Sequence, residues 1–152
     1  MRKWLLLSAI ILATACERDD LCLEKPLEGA VVRFHNAISG RPAAVDSVAV
    51  YYEGENLIPA TLTDSLLLPL PPDRDTAQYV FEKTGTPASN PDTVRFFYVR
   101  KDTFISKACG FWMTYRQLQA QLMTDSDNWI QQITVTRPDI TDDTLAHIRI
   151  YH

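Results

Sequence analysis

The chain has 152 residues, of which 46% are apolar, 22% charged and 10% aromatic, and its formal net charge is −4. This is the composition of one ordinary globular domain, and a chain of this length buries roughly two thirds of its unfolded surface, enough for a sizeable core. The acidic balance, and a sequence without any run of lysines or arginines, argue against a nucleic acid partner.

The first predicted element is a secretion signal at residues 1–15. Arg2 and Lys3 precede the uncharged stretch WLLLSAIILATA at residues 4–15, and Cys16 follows directly. A basic start, an apolar segment of about 12 residues and small residues before the cut are typical of a signal peptide. A lasting transmembrane helix needs about 20 apolar residues, so this segment is too short to be one.

The residues around Cys16 resemble a bacterial lipoprotein signal, in which a cysteine after small residues is acylated and becomes the first residue after cleavage. Thr14 and Ala15 fit that pattern, whereas Ala13 stands where leucine is more usual. We therefore predict lipidation of Cys16, an acylated tether at residues 16–25 and a single domain at residues 26–152. A plain signal peptide that leaves Cys16 as a free thiol is the alternative.

An acidic run, ERDD, follows at residues 17–20. It resembles the export tag that sends lipoproteins of the Bacteroidota to the outer face of the outer membrane, and a solvated tether explains it equally well. We expect a lipid-anchored protein of the outer membrane, and the sequence leaves open whether it lies on the periplasmic or the outer face.

Three cysteines, Cys16, Cys22 and Cys109, are an odd number for an exported protein. If Cys16 is lipidated, Cys22 and Cys109 remain, and an oxidising compartment permits them to pair. Two free structural thiols are the alternative. The cysteines show no CxxC or CxxH spacing, which argues against zinc.

The remaining sequence alternates in short strands between turn signals. Alternation of apolar and polar residues marks half-buried strands at residues 30–36, 47–52, 77–83 and 93–101. A further strand ends in SLLLPL, where Leu66, Leu68 and Leu70 share a face. These strands, the turn signals between them and the lack of a long amphipathic helix predict an antiparallel β-sandwich of about seven to nine strands, immunoglobulin-like or similar.

The stretch SKACGFWMTYRQL at residues 106–118 is also predicted to be a strand, with Cys109, Phe111, Met113 and Tyr115 on one face. Leu118 and Leu122 fit a short helical turn and a continued strand alike. Strands at residues 129–138 and 145–152 finish the chain, and we expect the second of these to be part of the sheet.

No constellation for catalysis stands out. The five glycines are never adjacent, there is no GxSxG motif, and we expect His35, His147 and His152 to be surface side chains rather than bases. The segment that begins at Asp125 opens like a calcium loop but lacks its glycine and its final glutamate, so a turn is predicted there. We therefore expect no catalytic residues, no metal site and no cofactor, although DITDD at residues 139–143 could loosely attract a divalent cation.

Two aromatic residues are candidates for contact with a ligand or partner. Trp112 and Phe97 each lie opposite the more apolar face of their predicted strands, and exposed flat rings suit stacking on a sugar or a protein. The alternative is that loops or a second layer cover both faces of these strands.

Several segments together resemble a family of small Bacteroidota lipoproteins of uncharacterised function: the short signal, LPLPP at residues 68–72, YVRKDTFISKACGFWMTY at residues 98–115 and HIRIYH at the end. The resemblance implies an exported β-sandwich lipoprotein with Cys22 and Cys109 as the disulfide pair, and it implies no activity. We expect a non-catalytic binding or interaction module whose partners are the membrane, through the lipid, and an envelope protein or glycan. A carbohydrate-binding accessory lipoprotein is the alternative, and an enzyme is least favoured.

Overall fold

The computed structural model describes residues 21–85 and 88–152. In these two ranges the chain forms nine β-strands and no helix. The strands are β1 Ala30–His35, β2 Val45–Tyr52, β3 Glu55–Thr63, β4 Ser65–Leu68, β5 Thr76–Lys83, β6 Asn90–Ser106, β7 Gly110–Leu122, β8 Gln132–Val135 and β9 Ile148–Tyr151. The predicted all-β class and strand number are therefore confirmed.

The strands form two sheets, a four-stranded sheet in the order β4-β1-β9-β8 and a five-stranded sheet in the order β3-β2-β5-β6-β7. The paired strands are antiparallel, except that β1 and β9 run parallel. The predicted antiparallel β-sandwich is thus confirmed, with one parallel pair that the sequence pattern does not indicate. Period-two alternation shows which side chains share a face, but it contains no information about the direction of a neighbouring strand.

The core lies between the two sheets. From the four-stranded sheet, Phe34, Leu68 and Ile150 are fully buried, and Phe81 and Phe96 meet them from the five-stranded sheet. β9 is part of the sheet, as expected, and it is an inner strand because it pairs with both β1 and β8. Its burial stabilises both neighbours, because each strand covers the other's backbone hydrogen-bonding groups.

The chain between residues 55 and 68 forms two strands in different sheets, where the sequence pattern predicts one. β3 is an exposed edge strand that contains Pro59, and the chain bends at Asp64 into β4. Proline is tolerated at a sheet edge because no neighbouring strand there needs a hydrogen bond from its backbone nitrogen. β4 then buries Leu66 and Leu68, as expected.

The segment that follows β4 crosses from the four-stranded to the five-stranded sheet, and we call residues 69–72, PLPP, the crossover. Four consecutive crossover carbonyl oxygens accept hydrogen bonds from side chains of the five-stranded sheet. The Tyr79 hydroxyl donates to Pro69, Tyr115 to Leu70 at 2.7 Å, Tyr98 to Pro71 at 3.2 Å and Arg100 to Pro72 at 2.8 Å. Burial raises the pKa of all three tyrosine hydroxyls, which keeps them protonated as donors.

β7 continues to Leu122 as a strand, which settles the alternatives at Leu118 and Leu122. Leu118 is buried and Leu122 packs against the core. Gln117 has a φ of 53° and marks an irregularity in the β6–β7 ladder, because one extra β7 residue is accommodated there.

Candidate functional site

The predicted lipidation site, Cys16, lies outside the described residues. The next cysteine, Cys22, forms a disulfide with Cys109, and their Cα atoms are 4.8 Å apart. Cys109 ends the turn between β6 and β7, where its backbone N–H donates to the Ser106 hydroxyl oxygen at 3.0 Å. The disulfide thus holds the N-terminal segment, residues 21–29, at the end of the β6–β7 hairpin.

The predicted strand at residues 106–118 is wrong at its beginning. Residues 107–109 form the hairpin turn, and Gly110 follows with a φ of 71°, a conformation that favours glycine. Phe111, expected on the buried face, is 68% exposed because the hairpin extends past the edge of the core. The sequence signal for this turn was Gly110 itself, directly after a small residue and a cysteine.

The structure does not bring Trp112 and Phe97 together. Trp112 pairs with Thr103 on β6, six positions from Phe97, which corresponds to about 20 Å along a strand. Trp112 is half-buried and lines a cavity of about 340 Å³ together with Leu27 and Ile105. Phe97 is half-buried on β6 between Thr76 and Gln119.

An open groove of about 640 Å³ lies on the five-stranded sheet, and we call it the β5 groove. Its walls combine the Tyr51 ring and Val80 with the polar ends of Gln78 and Arg95. The Arg95 guanidinium donates to the Gln78 amide oxygen at 3.0 Å, which fixes two side chains that could bond a polar ligand.

Two charged side chains, Glu53 and Arg74, also line the β5 groove. Arg74 pairs with Glu53 and, at 3.3 Å, with Asp73. These hydrogen bonds raise the pKa of Arg74 and lower the pKa of Asp73. All three side chains are largely exposed, so solvent screens the pairs and they order the groove rather than stabilise the fold. The neighbouring Glu82 carboxylate raises the pKa of Tyr51.

Two of the three histidines are buried, which corrects the expectation of surface side chains. His147 is fully buried and His35 is 5% exposed. The Val31 N–H donates to His147 Nδ1 at 3.1 Å, so this imidazole is neutral with its proton on Nε2, and burial lowers its pKa. The alternation does not reveal the contacts that accompany this burial, such as the return of the loop after β1, where the Gly40 carbonyl oxygen lies 3.0 Å from His35 Nδ1.

Asp92 is a fully buried carboxylate, and no motif in the sequence points to it. One oxygen accepts from the Ile130 N–H at 2.7 Å, and the other finds no hydrogen-bond partner among the described residues. Burial raises the pKa of Asp92. The residue lies on the inner face of β6, and its hydrogen bond holds the loop that leads to β8.

The acidic segments form turns. The Asp125 carboxylate accepts from the Asp127 N–H at 3.0 Å, within the turn predicted there. Asp142 binds Arg137 at 2.6 Å and caps the Thr144 N–H, and these bonds lower the pKa of Asp142 well below its usual range. Across residues 21–85 and 88–152, no group of three or more histidine, cysteine or acidic side chains could hold a metal ion.

No helix among the described residues is long and apolar enough to cross a membrane. Comparison with curated proteins and with solved structures returns no match. One family model does match: the family of unknown function DUF6452, over residues 42–152. The chain belongs to this family, and the matched part runs from just before β2 to the end of β9.

Proposed function

We propose that this member of the DUF6452 family is a lipid-anchored protein of the bacterial outer membrane, resembling Bacteroidota lipoproteins, that acts as a non-catalytic binding or interaction module. The observation that supports the anchor most directly is the sequence at residues 1–16, in which two basic residues and an uncharged apolar stretch end at Cys16. Several acyl chains on one cysteine hold a domain firmly, since each buried methylene contributes ~0.8 kcal/mol.

The Cys22–Cys109 disulfide supports the same compartment. Disulfides persist in oxidising environments such as the periplasm and the cell surface. With Cys22 and Cys109 joined, Cys16 is the cysteine left for a lipid. The proposal therefore gives each of the three cysteines a role.

Lipid labelling of the wild-type chain beside Cys16→Ala tests the anchor. We expect the wild type to incorporate labelled fatty acid and to sediment with membranes, and the variant to lose both properties. Cys22→Ala is the matched control, because it removes a cysteine and keeps the label. Equal labelling of the wild type and Cys16→Ala would contradict the proposal. Protease treatment of intact cells then assigns the domain to the outer or the periplasmic face.

A second candidate function, carbohydrate binding, is favoured by the β5 groove. An aromatic ring beside fixed amide and guanidinium donors is the combination that sugar recognition uses, through stacking and hydrogen bonds. Tyr51 supplies the ring, and Gln78 and Arg95 supply the polar groups. Phe97 lies two positions beyond Arg95 on β6 and extends the same surface.

A glycan array probed with the wild type and Tyr51→Ala tests this candidate. We expect binding that falls about fivefold or more in Tyr51→Ala and in Phe97→Ala, because one stacking ring contributes on the order of 1 kcal/mol. Trp112→Ala tests the sequence-predicted contact separately. Tyr151→Ala, outside the groove, is the control. Unchanged binding in the groove variants, or no bound glycan, would rule the candidate out.

A further inference from the structure

The end of the β6–β7 hairpin presents two neighbouring aromatic rings to solvent. Phe104 is 55% exposed and Phe111 is 68% exposed, and their ring centroids are 5.3 Å apart. The two residues face each other across the ladder, close to the turn at residues 107–109. Exposed apolar groups that cluster in this way mark interaction surfaces, whereas single exposed apolar side chains are ordinary.

The disulfide adds two leucines to the same end of the molecule. Leu21 and Leu23 flank Cys22 and are 75% and 89% exposed. Because Cys22 is bonded to Cys109 at the turn, the disulfide ties the backbone of both leucines to the same end of the hairpin. We call Leu21, Leu23, Phe104 and Phe111 the hairpin patch.

Chain length ties the hairpin patch to the proposed anchor. Cys16 precedes Cys22 by six residues, and a fully extended chain of that length spans about 20 Å. A bilayer that holds acyl chains on Cys16 therefore lies within about 20 Å of Cys22, a distance smaller than the thickness of the bilayer's hydrocarbon core. The hairpin patch is the exposed apolar cluster that the disulfide fixes nearest to that surface.

We propose that the hairpin patch inserts into the phospholipid headgroup region and forms a second membrane contact; this inference rests on the lipidation of Cys16 proposed above. Phenylalanine and leucine side chains suit the boundary between headgroups and acyl chains, and the exposed Lys107 at the turn complements anionic headgroups. An acyl anchor alone leaves the domain free to rotate. The second contact fixes the β6–β7 hairpin toward the bilayer.

Photo-crosslinking of the full, lipidated chain in vesicles of phosphatidylethanolamine and phosphatidylglycerol tests the contact. The variants are Phe111→p-benzoylphenylalanine and Phe104→p-benzoylphenylalanine, which retain an aromatic side chain at exposed positions. The control is Ile38→p-benzoylphenylalanine, since Ile38 is 96% exposed and follows β1 at its other end, away from the N-terminal segment. Circular dichroism and an intact Cys22–Cys109 bond verify the fold of each variant.

We expect at least about ten times as much phospholipid adduct at positions 104 and 111 as at position 38. An acylated protein with as little lipid adduct at position 111 as at position 38 would overturn the hairpin contact and leave the anchor standing. An adduct between two copies of the chain would overturn it as well. A protein mass without acyl groups would instead contradict the proposed anchor, and the hairpin contact would fall with it.

Discussion

Gly29 is a position where only a hydrogen atom fits. It lies just before β1, and a Cβ atom built there overlaps the carbonyl oxygen of Leu68 at the end of β4. The β1–β4 ladder begins at the next residue, where Ala30 pairs with Leu68. A side chain at Gly29 must therefore push the backbones of two paired strands apart.

We expect Gly29→Ala to lower the free energy of unfolding by about 2–3 kcal/mol, because backbone cannot yield as a flexible side chain can. Urea unfolding followed by circular dichroism measures the change. Gly85→Ala is the matched control, since a Cβ there meets open space, and its effect should stay within about 0.5 kcal/mol. Equal effects of the two substitutions would contradict the close approach.

His147 makes the stability of the fold depend on pH. Its folded-state pKa is lowered, mainly by burial and also by Arg137, so the unfolded chain binds the proton more readily. The stability that the neutral ring contributes is present above the unfolded pKa of about 6.5 and is lost as the pH falls through the folded pKa. Protonation at Nδ1 would also break the hydrogen bond from Val31.

We expect His147→Asn to flatten this acid-side loss, because an asparagine oxygen can accept from the Val31 N–H without gaining a charge. The variant should be less stable than the wild type at pH 8, owing to lost volume, and the difference should shrink as the pH falls from about 6.5 toward 5. Urea unfolding at a series of pH values measures it. A constant difference across that range would show that His147 does not titrate with unfolding.

At the scale of elements, the crossover is a connection between the two sheets that side chains of the five-stranded sheet hold. Its prolines cannot donate backbone hydrogen bonds, and it runs between two sheets instead of along one, so its carbonyl oxygens need donors from elsewhere. Tyrosines on three successive strands, β5, β6 and β7, provide them. Each hydroxyl fixes one crossover carbonyl over the edge of the core.

We expect Tyr115→Phe to cost about 1–2 kcal/mol, because it leaves the buried Leu70 carbonyl without its donor. Tyr98→Phe should cost about 1 kcal/mol, and the double variant should deviate from the sum, since both hydroxyls hold the same short segment. Tyr151→Phe is the control, because its hydroxyl bonds to nothing among the described residues. Thermal or urea unfolding measures the stability of each variant. Equal losses in Tyr115→Phe, Tyr98→Phe and Tyr151→Phe would contradict a specific role for the crossover.

The strands themselves could be predicted from local pattern. Alternation at residues 30–35 and 148–151 places β1 and β9, because one face of each is buried and the other is polar. The same alternation does not reveal that β1 and β9 are parallel neighbours, since their pairing joins residues more than a hundred positions apart. It also does not separate β3 from β4, because the bend at Asp64 moves the chain between sheets without interrupting the apolar pattern.

The candidate surfaces were harder to predict than the strands. Trp112 and Phe97 are aromatic residues on polar faces, and half-burial of both comes from neighbours distant in sequence, such as Leu27 beside Trp112. Phe111 is exposed because the hairpin extends beyond the core, so no distant segment covers it. The β5 groove combines β2, β5 and β6, so no single stretch of sequence contains it.

For the whole molecule, the disulfide closes a loop whose ends are 87 positions apart, and chain-entropy arguments give such a loop about 4–5 kcal/mol before native strain is subtracted. We expect Cys22→Ser to lower the free energy of unfolding by up to this amount. Cys109→Ser and the double variant should show similar losses, because each removes the same bond. Urea unfolding measures the series. A double variant as stable as the wild type would contradict the contribution.

The same bond determines how the molecule responds to a pulling force. Tension applied at the N-terminal side of Cys22 passes through the covalent sulfur–sulfur bond into β7, so residues 23–108 form a closed loop that cannot be extended. β1 to β6 lie within this loop and bear no tension, so the pulling force acts on β7, β8 and β9. Reduction of the disulfide would let the force act on β1 to β6 as well. Single-molecule pulling would then show an additional extension from residues 23–108.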